Sequence, residues 1–351
     1  MKARSIKLIL AAIGLVVATS AHAVVALPYS SLVIFGDSLS DSGNNTLHPL
    51  IGTATGQTAL PAFGNSYIPT QTYAEFGGTL SNPFATYSNG AVWSTQFAGM
   101  LGVPLSPSNA GGTNYAHGGA VSGTDQILHP SFPQFPLPSL KTQANTYLGA
   151  NPGPLSANAL YVVAGGGNNV RATFVALAGQ SDFGVIGSTT GASASQYAND
   201  IGTIVDQLQA GGAQHIIVWN TPNLGLTPAF GAVPFTASGL TGSQLGSLIS
   251  GSLNGALTTR LAGEAGVQVF DISNLATLAV ASGFTNTTNA CGAIGGCATS
   301  LFWDGIHPTT AAHGFIAQQM FALAVPEPSE IAMMLAGLLV VAGAARRRRI
   351  A

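Results

Sequence analysis

Four short runs along the chain are almost entirely apolar and rich in β-branched or aromatic residues: 31–35 (SLVIF), 159–164 (ALYVVA), 215–219 (HIIVW) and 267–271 (VQVFD). Each is too short for a core helix, and the first three do not alternate between apolar and polar as a half-solvated strand does. They predict strands buried on both faces, as in a parallel sheet. Between the second and third runs, Tyr197, Ile201, Ile204, Val205 and Leu208 recur at helical spacing, so one side of a helix is apolar. Gly211-Gly212 predicts its end. Further helices are predicted over 245–261 and 309–323. Strands alternating with helices argue for an α/β fold, a three-layer αβα sandwich around a mostly parallel central sheet. The stretches 47–107 and 130–138 are rich in Gly, Pro, Asn, Ser and Thr and are expected to be irregular and to wall the substrate cleft. No repeat of solenoid or propeller length is evident.

The two ends follow different patterns. Residues 1–23 combine a basic start, an apolar run over 8–18 and the small-x-small site Ala21-His22-Ala23, which predicts a cleaved secretory leader. That run is shorter than the roughly 20 residues that span a bilayer. At the other end, Val325-Pro326-Glu327-Pro328-Ser329 breaks the chain, 331–345 is apolar, and Arg346 to Arg349 form a positive stop. This order resembles the PEP-CTERM sorting signal of Gram-negative bacteria. The resemblance implies transient membrane anchoring through the C-terminal helix, removal by an exosortase, and a destination at the cell envelope or beyond. The expected division is therefore a leader at 1–23, processed by signal peptidase, a body at 24–325 and a sorting segment at 326–351.

Charge sharpens the picture of the body. Charged residues make up only 6% of the chain, and seven of the ten cations sit in the two end segments. Lys141, Arg171 and Arg260 face ten carboxylates within 24–325, a net charge of −7. Such a surface has no basic stripe to displace counterions from phosphates, which argues against nucleic acid as a partner. The two cysteines, Cys291 and Cys297, flank Gly-Ala-Ile-Gly-Gly. In an oxidising compartment they are expected to close a small disulfide ring. Two thiols without a nearby histidine leave tetrahedral zinc short of ligands, so no metal site is expected.

The candidate chemistry begins where the first strand ends. Gly36-Asp37-Ser38 puts a hydroxyl at the carboxyl end of a parallel strand, where open α/β sheets bind their ligands. Taken alone, the tripeptide reads equally well as a turn followed by a helix cap. A serine nucleophile needs a base, and the base needs an orienting carboxylate. His307 alone among the histidines has an aspartate three positions before it, in Asp304-Gly305-Ile306-His307-Pro308. Ester hydrolysis also needs donors for a tetrahedral oxyanion. Two glycine-rich stretches offer them: Asn114-Tyr115-Ala116-His117-Gly118-Gly119-Ala120 and Gly165-Gly166-Gly167-Asn168-Asn169. The latter lacks the Lys-Ser/Thr ending of a phosphate loop.

In their order along the chain, the Gly36-Asp37-Ser38 block, the block at 114–120, the block at 166–168 and the block at 304–308 resemble the four sequence blocks of the GDSL, or SGNH, hydrolase family. The resemblance implies a serine esterase or lipase that works through an acyl-enzyme and needs no cofactor. It makes Ser38 the nucleophile, His307 the general base and later acid, and Asp304 the orienting carboxylate. The oxyanion hole would be the backbone N–H of Ser38, the backbone N–H of Gly119 and the side chain of Asn168. Asp37 and Asp41 are expected to serve the turn and cap. One departure is Asn169, where the family usually has an aspartate. Lipid, short soluble and acylated-polysaccharide esters all suit this machinery. A noncatalytic exopolysaccharide-binding matrix protein on the same fold is the alternative.

Overall fold

A computed structural model of the chain describes residues 29–47, 86–127, 136–294, 296–325 and 337–338. The leader at 1–23, and all but Val325 of the motif at 325–329, lie outside the described residues, as do 48–85 and 128–135. Among the described residues no helix is long and apolar enough to cross a membrane.

Four parallel strands form the central sheet: β1 (Ser31–Gly36), β2 (Ala159–Ala164), β3 (His215–Trp219) and β4 (Val267–Phe270), hydrogen-bonded in that order. In register, Phe35 lies opposite Val163, Val163 opposite Val218, and Val218 opposite Val269. Six principal helices are α1 (Trp93–Leu101), α2 (Leu140–Ala150), α3 (Gly167–Leu177), α4 (Phe183–Gly211), α5 (Gly242–Arg260) and α6 (Thr310–Ala324).

Alternation along the strands assigns the layers. Val33, Phe35, Tyr161, Val163, Ile216 and Val218 belong to a core shared with α2, α3, α4 and α5. Leu32, Ile34, Leu160, Val162, Ile217 and Trp219 belong to a second core, closed by α1 and α6. Successive side chains on a strand point to opposite faces, so a strand with apolar residues at every position requires helices on both sides. The result is the expected αβα sandwich.

Two expectations about the elements change. The helix at 197–211 begins much earlier, at Phe183, where the Asp182 side chain caps the N–H groups of Gly184 and Val185. The stretch 47–107, expected to be irregular and to wall the cleft, contains α1 instead. Trp93, Phe97, Ala98 and Leu101 form a buried stripe on this helix, and the Trp93 ring lies 4.6 Å from that of Trp219. Burial of that stripe outweighs the glycine- and serine-rich surroundings that made the segment read as loop.

The segment around Asn114 extends the sheet without forming a full strand. The Ile34 N–H donates to the Thr113 carbonyl at 3.0 Å, and the Ile34 carbonyl accepts the Tyr115 N–H at 2.8 Å. The segment therefore runs parallel to β1 along its outer edge.

Candidate active site

β1 delivers the chain to a tight turn. The Asp37 carbonyl accepts the N–H groups of Ser40 and Asp41, both at 3.0 Å, and the Asp37 carboxylate accepts Leu39 N–H at 3.1 Å. Ser38 stands at the tip. Gly36, the last residue of β1, is held by Gln143 on α2: Oε1 accepts the Gly36 N–H at 2.8 Å, and Nε2 donates to its carbonyl at 2.9 Å. The amide oxygen takes the Gly36 N–H in place of a peptide carbonyl, while the Gly36 carbonyl also accepts the His117 N–H at 3.1 Å.

The Ser38 hydroxyl lies 2.9 Å from His307 Nε2, and His307 Nδ1 lies 2.7 Å from Asp304 Oδ2. The other carboxylate oxygen of Asp304 accepts the backbone N–H groups of Ile306 at 2.7 Å and His307 at 2.6 Å, so the acid is fixed by its own loop. All three residues are buried, with 8%, 4% and 2% of Ser38, His307 and Asp304 exposed. Since Asp304 is an acceptor when ionised, the neutral imidazole carries its hydrogen on Nδ1 and turns the Nε2 lone pair toward the serine.

His307 is backed by Tyr87, Ser88 and Asn89, at the described end of the 47–107 stretch that the sequence marks as irregular. The Tyr87 ring lies 5.3 Å from the imidazole, and its hydroxyl accepts from Asn45 Nδ2 at 2.6 Å. Ser88 Oγ donates to the Pro308 carbonyl at 2.9 Å, and Asn89 Oδ1 accepts Thr310 N–H at 2.8 Å. Gly118 lies so close to this tyrosine that an added Cβ would sit 2.1 Å from Tyr87 Cε2. No side chain larger than hydrogen fits there.

A buried polar network joins the Ser38 turn to the block at 114–120. Asp41 Oδ1 accepts Gly43 and Asn44 N–H at 2.8 and 2.7 Å, and its Oδ2 accepts Gly118 N–H at 2.9 Å. Asn44 Nδ2 donates to the carbonyls of Asn114 and Ala116 at 2.7 and 2.8 Å; Asn114 Nδ2 donates back to the Ser40 carbonyl at 2.8 Å. Asp41 therefore caps its turn, as expected, and also holds the glycine block. Gly119 lies between Gly118, fixed by Asp41, and Ala120, whose carbonyl accepts Asn168 Nδ2 at 3.0 Å. Asn168 is in the first turn of α3, after Gly166, whose φ of +122° turns the chain out of β2 and into the helix.

Burial and charge set the electrostatics. Burial pushes the Asp37 carboxyl up to about 6, against the pull of Leu39 N–H and the His307 charge. Burial also raises Asp41 and lowers His117, and each partly offsets the other's shift. His313, on α6, is driven down to about 3, chiefly by burial and secondarily by the His307 charge.

Ser38, His307 and Asn168 line one open cleft. Its walls are Pro222, Leu224 and Leu226 after β3, Ile272 and Leu275 after β4, and Leu301, Phe302 and Ile306 before the histidine. The described parts of 47–107 and 130–138 do not line it. Among the described residues, much of the lining follows the carboxyl ends of β3 and β4, the edge where α/β sheets bind ligands. Cys291 and Cys297 are joined by a disulfide within the segment that leads to Leu301 and Phe302. Among the described residues, no group of three or more His, Cys, Asp or Glu is arranged to hold a metal ion.

Esterase EstA of Pseudomonas aeruginosa is 30% identical over 347 residues, covering 88% of this chain and 48% of that protein. Lipase 1 of Photorhabdus luminescens is 29% identical over 227 residues, covering 65% of this chain and 27% of that protein. The chain thus spans about half the length of the curated esterase. Among solved structures, phospholipase A1 from Streptomyces albidoflavus NA297 is similar with a TM-score of 0.40 at 15% identity, covering 83% of this chain and 98% of that one. The GDSL-like lipase/acylhydrolase family model matches residues 32–320, from β1 into α6, and takes in Ser38, Asn168, Asp304 and His307. By that match the chain belongs to the GDSL-like lipase/acylhydrolase family.

Proposed function

We propose that this protein is an exported serine esterase that hydrolyses carboxylic esters through an acyl-enzyme on Ser38. The observation that carries the reading is the 2.9 Å separation between Ser38 Oγ and His307 Nε2, with Asp304 2.7 Å from the far nitrogen of the same ring. The Ser38 hydroxyl attacks the ester carbonyl while His307 Nε2 takes its proton. Asp304 keeps the imidazole in the tautomer that can accept it and stabilises the imidazolium that results. The backbone N–H groups of Ser38 and Gly119 and the Asn168 amide receive the negative charge on the tetrahedral oxygen. Collapse expels the alcohol, which takes its proton from His307. Water then repeats the sequence on the acyl-enzyme, with His307 again as base and then acid, and releases the carboxylic acid.

The cleft beside Ser38 is lined mainly by aliphatic carbon, which suits the acyl part of an ester. The leader and the tail resembling a PEP-CTERM signal support export, cleavage by signal peptidase and an exosortase, and a mature body near 24–325 at the cell envelope or outside a Gram-negative cell. A purified body is expected to hydrolyse p-nitrophenyl butyrate, and Ser38→Ala is expected to lose that activity by several orders of magnitude. Undiminished hydrolysis by Ser38→Ala overturns the assignment. A folded wild-type protein that neither hydrolyses esters nor reacts with a fluorophosphonate supports the exopolysaccharide-binding alternative.

A further inference from the structure

The departure at Asn169 is tied to a buried carboxylate on another helix. Ser122 is fully buried between them. Its backbone N–H donates to Asn169 Oδ1 at 3.1 Å, and its hydroxyl receives a hydrogen bond from Asn169 Nδ2 at 2.9 Å. Because a backbone N–H can only donate, the Asn169 oxygen must face it, which turns the amide NH2 toward the hydroxyl. The single Ser122 hydroxyl hydrogen then goes to Asp200 Oδ2 at 2.8 Å. Asp200, in the interior of α4, is itself held on its other oxygen by Gln196 Nε2 at 2.9 Å and Lys141 Nζ at 3.4 Å. The approach is tight: a Cβ added to Gly123 would lie 2.1 Å from Asp200 Oδ2.

This chain has one direction. Asn169 donates to Ser122, Ser122 donates to Asp200, and no group is left with two acceptors competing for one hydrogen. A carboxylate at position 169 would break it, because both ends would be acceptors and Ser122 has only one hydroxyl hydrogen to give. The chain also spans the two segments that flank the Ser38 pocket. Ser122 follows Gly119 and Ala120, Asn169 follows Asn168, and the two segments are joined again by the Asn168 to Ala120 bond at 3.0 Å.

We propose that Asn169 and Asp200 are a matched donor and acceptor which, through Ser122, position Asn168 and the Gly119 segment for catalysis at Ser38. Both are positioning residues, since neither touches the reacting atoms. The proposal rests on the ester-hydrolase reading given above.

The test is an exchange of the two ends in the full body, with kcat and KM for p-nitrophenyl butyrate as the readout. Asn169→Asp sets two carboxylates on one hydroxyl, and Asp200→Asn leaves the hydroxyl hydrogen without an acceptor. Each is expected to lower kcat about tenfold, the scale at which members of one hydrogen-bond network couple, while KM stays within about twofold. The double variant Asn169→Asp/Asp200→Asn runs the chain backwards with every donor matched. It is expected to recover most of the lost kcat. Single variants with wild-type kcat, or a double variant no faster than the product of the two losses, overturn the proposal. If a single variant fails to fold, a folded and active double variant supports the proposal and an unfolded one overturns it. Ser38→Ala, assayed alongside, separates the two claims: activity that survives in it defeats the ester-hydrolase reading, whereas the exchange experiment addresses the positioning chain.

Discussion

Asp41 accepts the backbone N–H of Gly118 at 2.9 Å across 77 positions of sequence, and with its other oxygen it caps Gly43 and Asn44. A single buried carboxylate thus sets the Ser38 turn and the glycine block at a fixed separation. Backbone donors from both segments offset part of its burial cost. Asp41→Ala leaves those donors buried without an acceptor. It is expected to destabilise the protein by about 2–4 kcal/mol and to reduce ester turnover in the fraction still folded. Urea unfolding followed by an assay at a temperature where the variant is native checks both effects.

Asn168 divides its amide between a structural bond to Ala120 and the cleft. If the second amide hydrogen meets the oxyanion, Asn168→Ala should lower kcat by about 10²–10³ and change KM far less. Steady-state kinetics on p-nitrophenyl butyrate measures the split. Asn168→Asp should be similarly impaired, because a carboxylate repels the developing negative charge.

His313 is fully buried on α6, and both ring nitrogens lack a hydrogen-bond partner among the described residues. Its folded pKa of about 3 lies below the usual 6.5, so between these values the unfolded chain binds the proton and the folded one does not. Stability is therefore unaffected by this residue above pH 6.5 and falls as the pH drops below it, by up to about 1.4 kcal/mol per pH unit. Asp37, raised from 3.8 to about 6, works in the opposite sense between those values. Comparison with His313→Leu isolates the histidine: the Tm advantage of the variant should grow as the pH is lowered from 7 to 5.

The Cys291–Cys297 disulfide closes a loop with a sequence separation of 6. By loop-closure entropy, Cys291→Ser/Cys297→Ser should cost about 2 kcal/mol, seen as a lower urea midpoint than that of the oxidised protein. Dithiothreitol should reproduce the shift in the wild type and leave the double variant unchanged.

β1 and β2 were legible because burial on both faces removes polar residues from the run, and this left 32–35 and 159–164 as unbroken apolar words. α1 was not, although Trp93, Phe97 and Leu101 are correctly spaced, because Ser94, Thr95, Gln96 and Gly99 between them match the surrounding loop composition. The early turns of α4 were hidden in the same way by Gly184, Gly187 and Gly191. Within the site, Ser38, Asp304 and His307 stand in short motifs whose order along the chain carries the signal. Gln143, 107 positions from the glycine that it holds, has no local mark, and neither has Tyr87 behind the imidazole. These supporting residues are chosen by tertiary proximity, which a linear pattern does not encode. The cleft walls after β3 and β4 follow from strand direction, while the expectation that 48–85 and 130–135 wall the cleft lies outside the described residues.

The central claim is that the Ser38 hydroxyl is the atom acylated by substrate. The most direct measurement is to react the folded protein with a fluorophosphonate, digest it, and locate the added mass by mass spectrometry. One adduct per chain, on the peptide that carries Ser38 and absent in both Ser38→Ala and His307→Ala, is the result expected. An adduct on another residue, or an active enzyme that acquires no adduct at all, would contradict it.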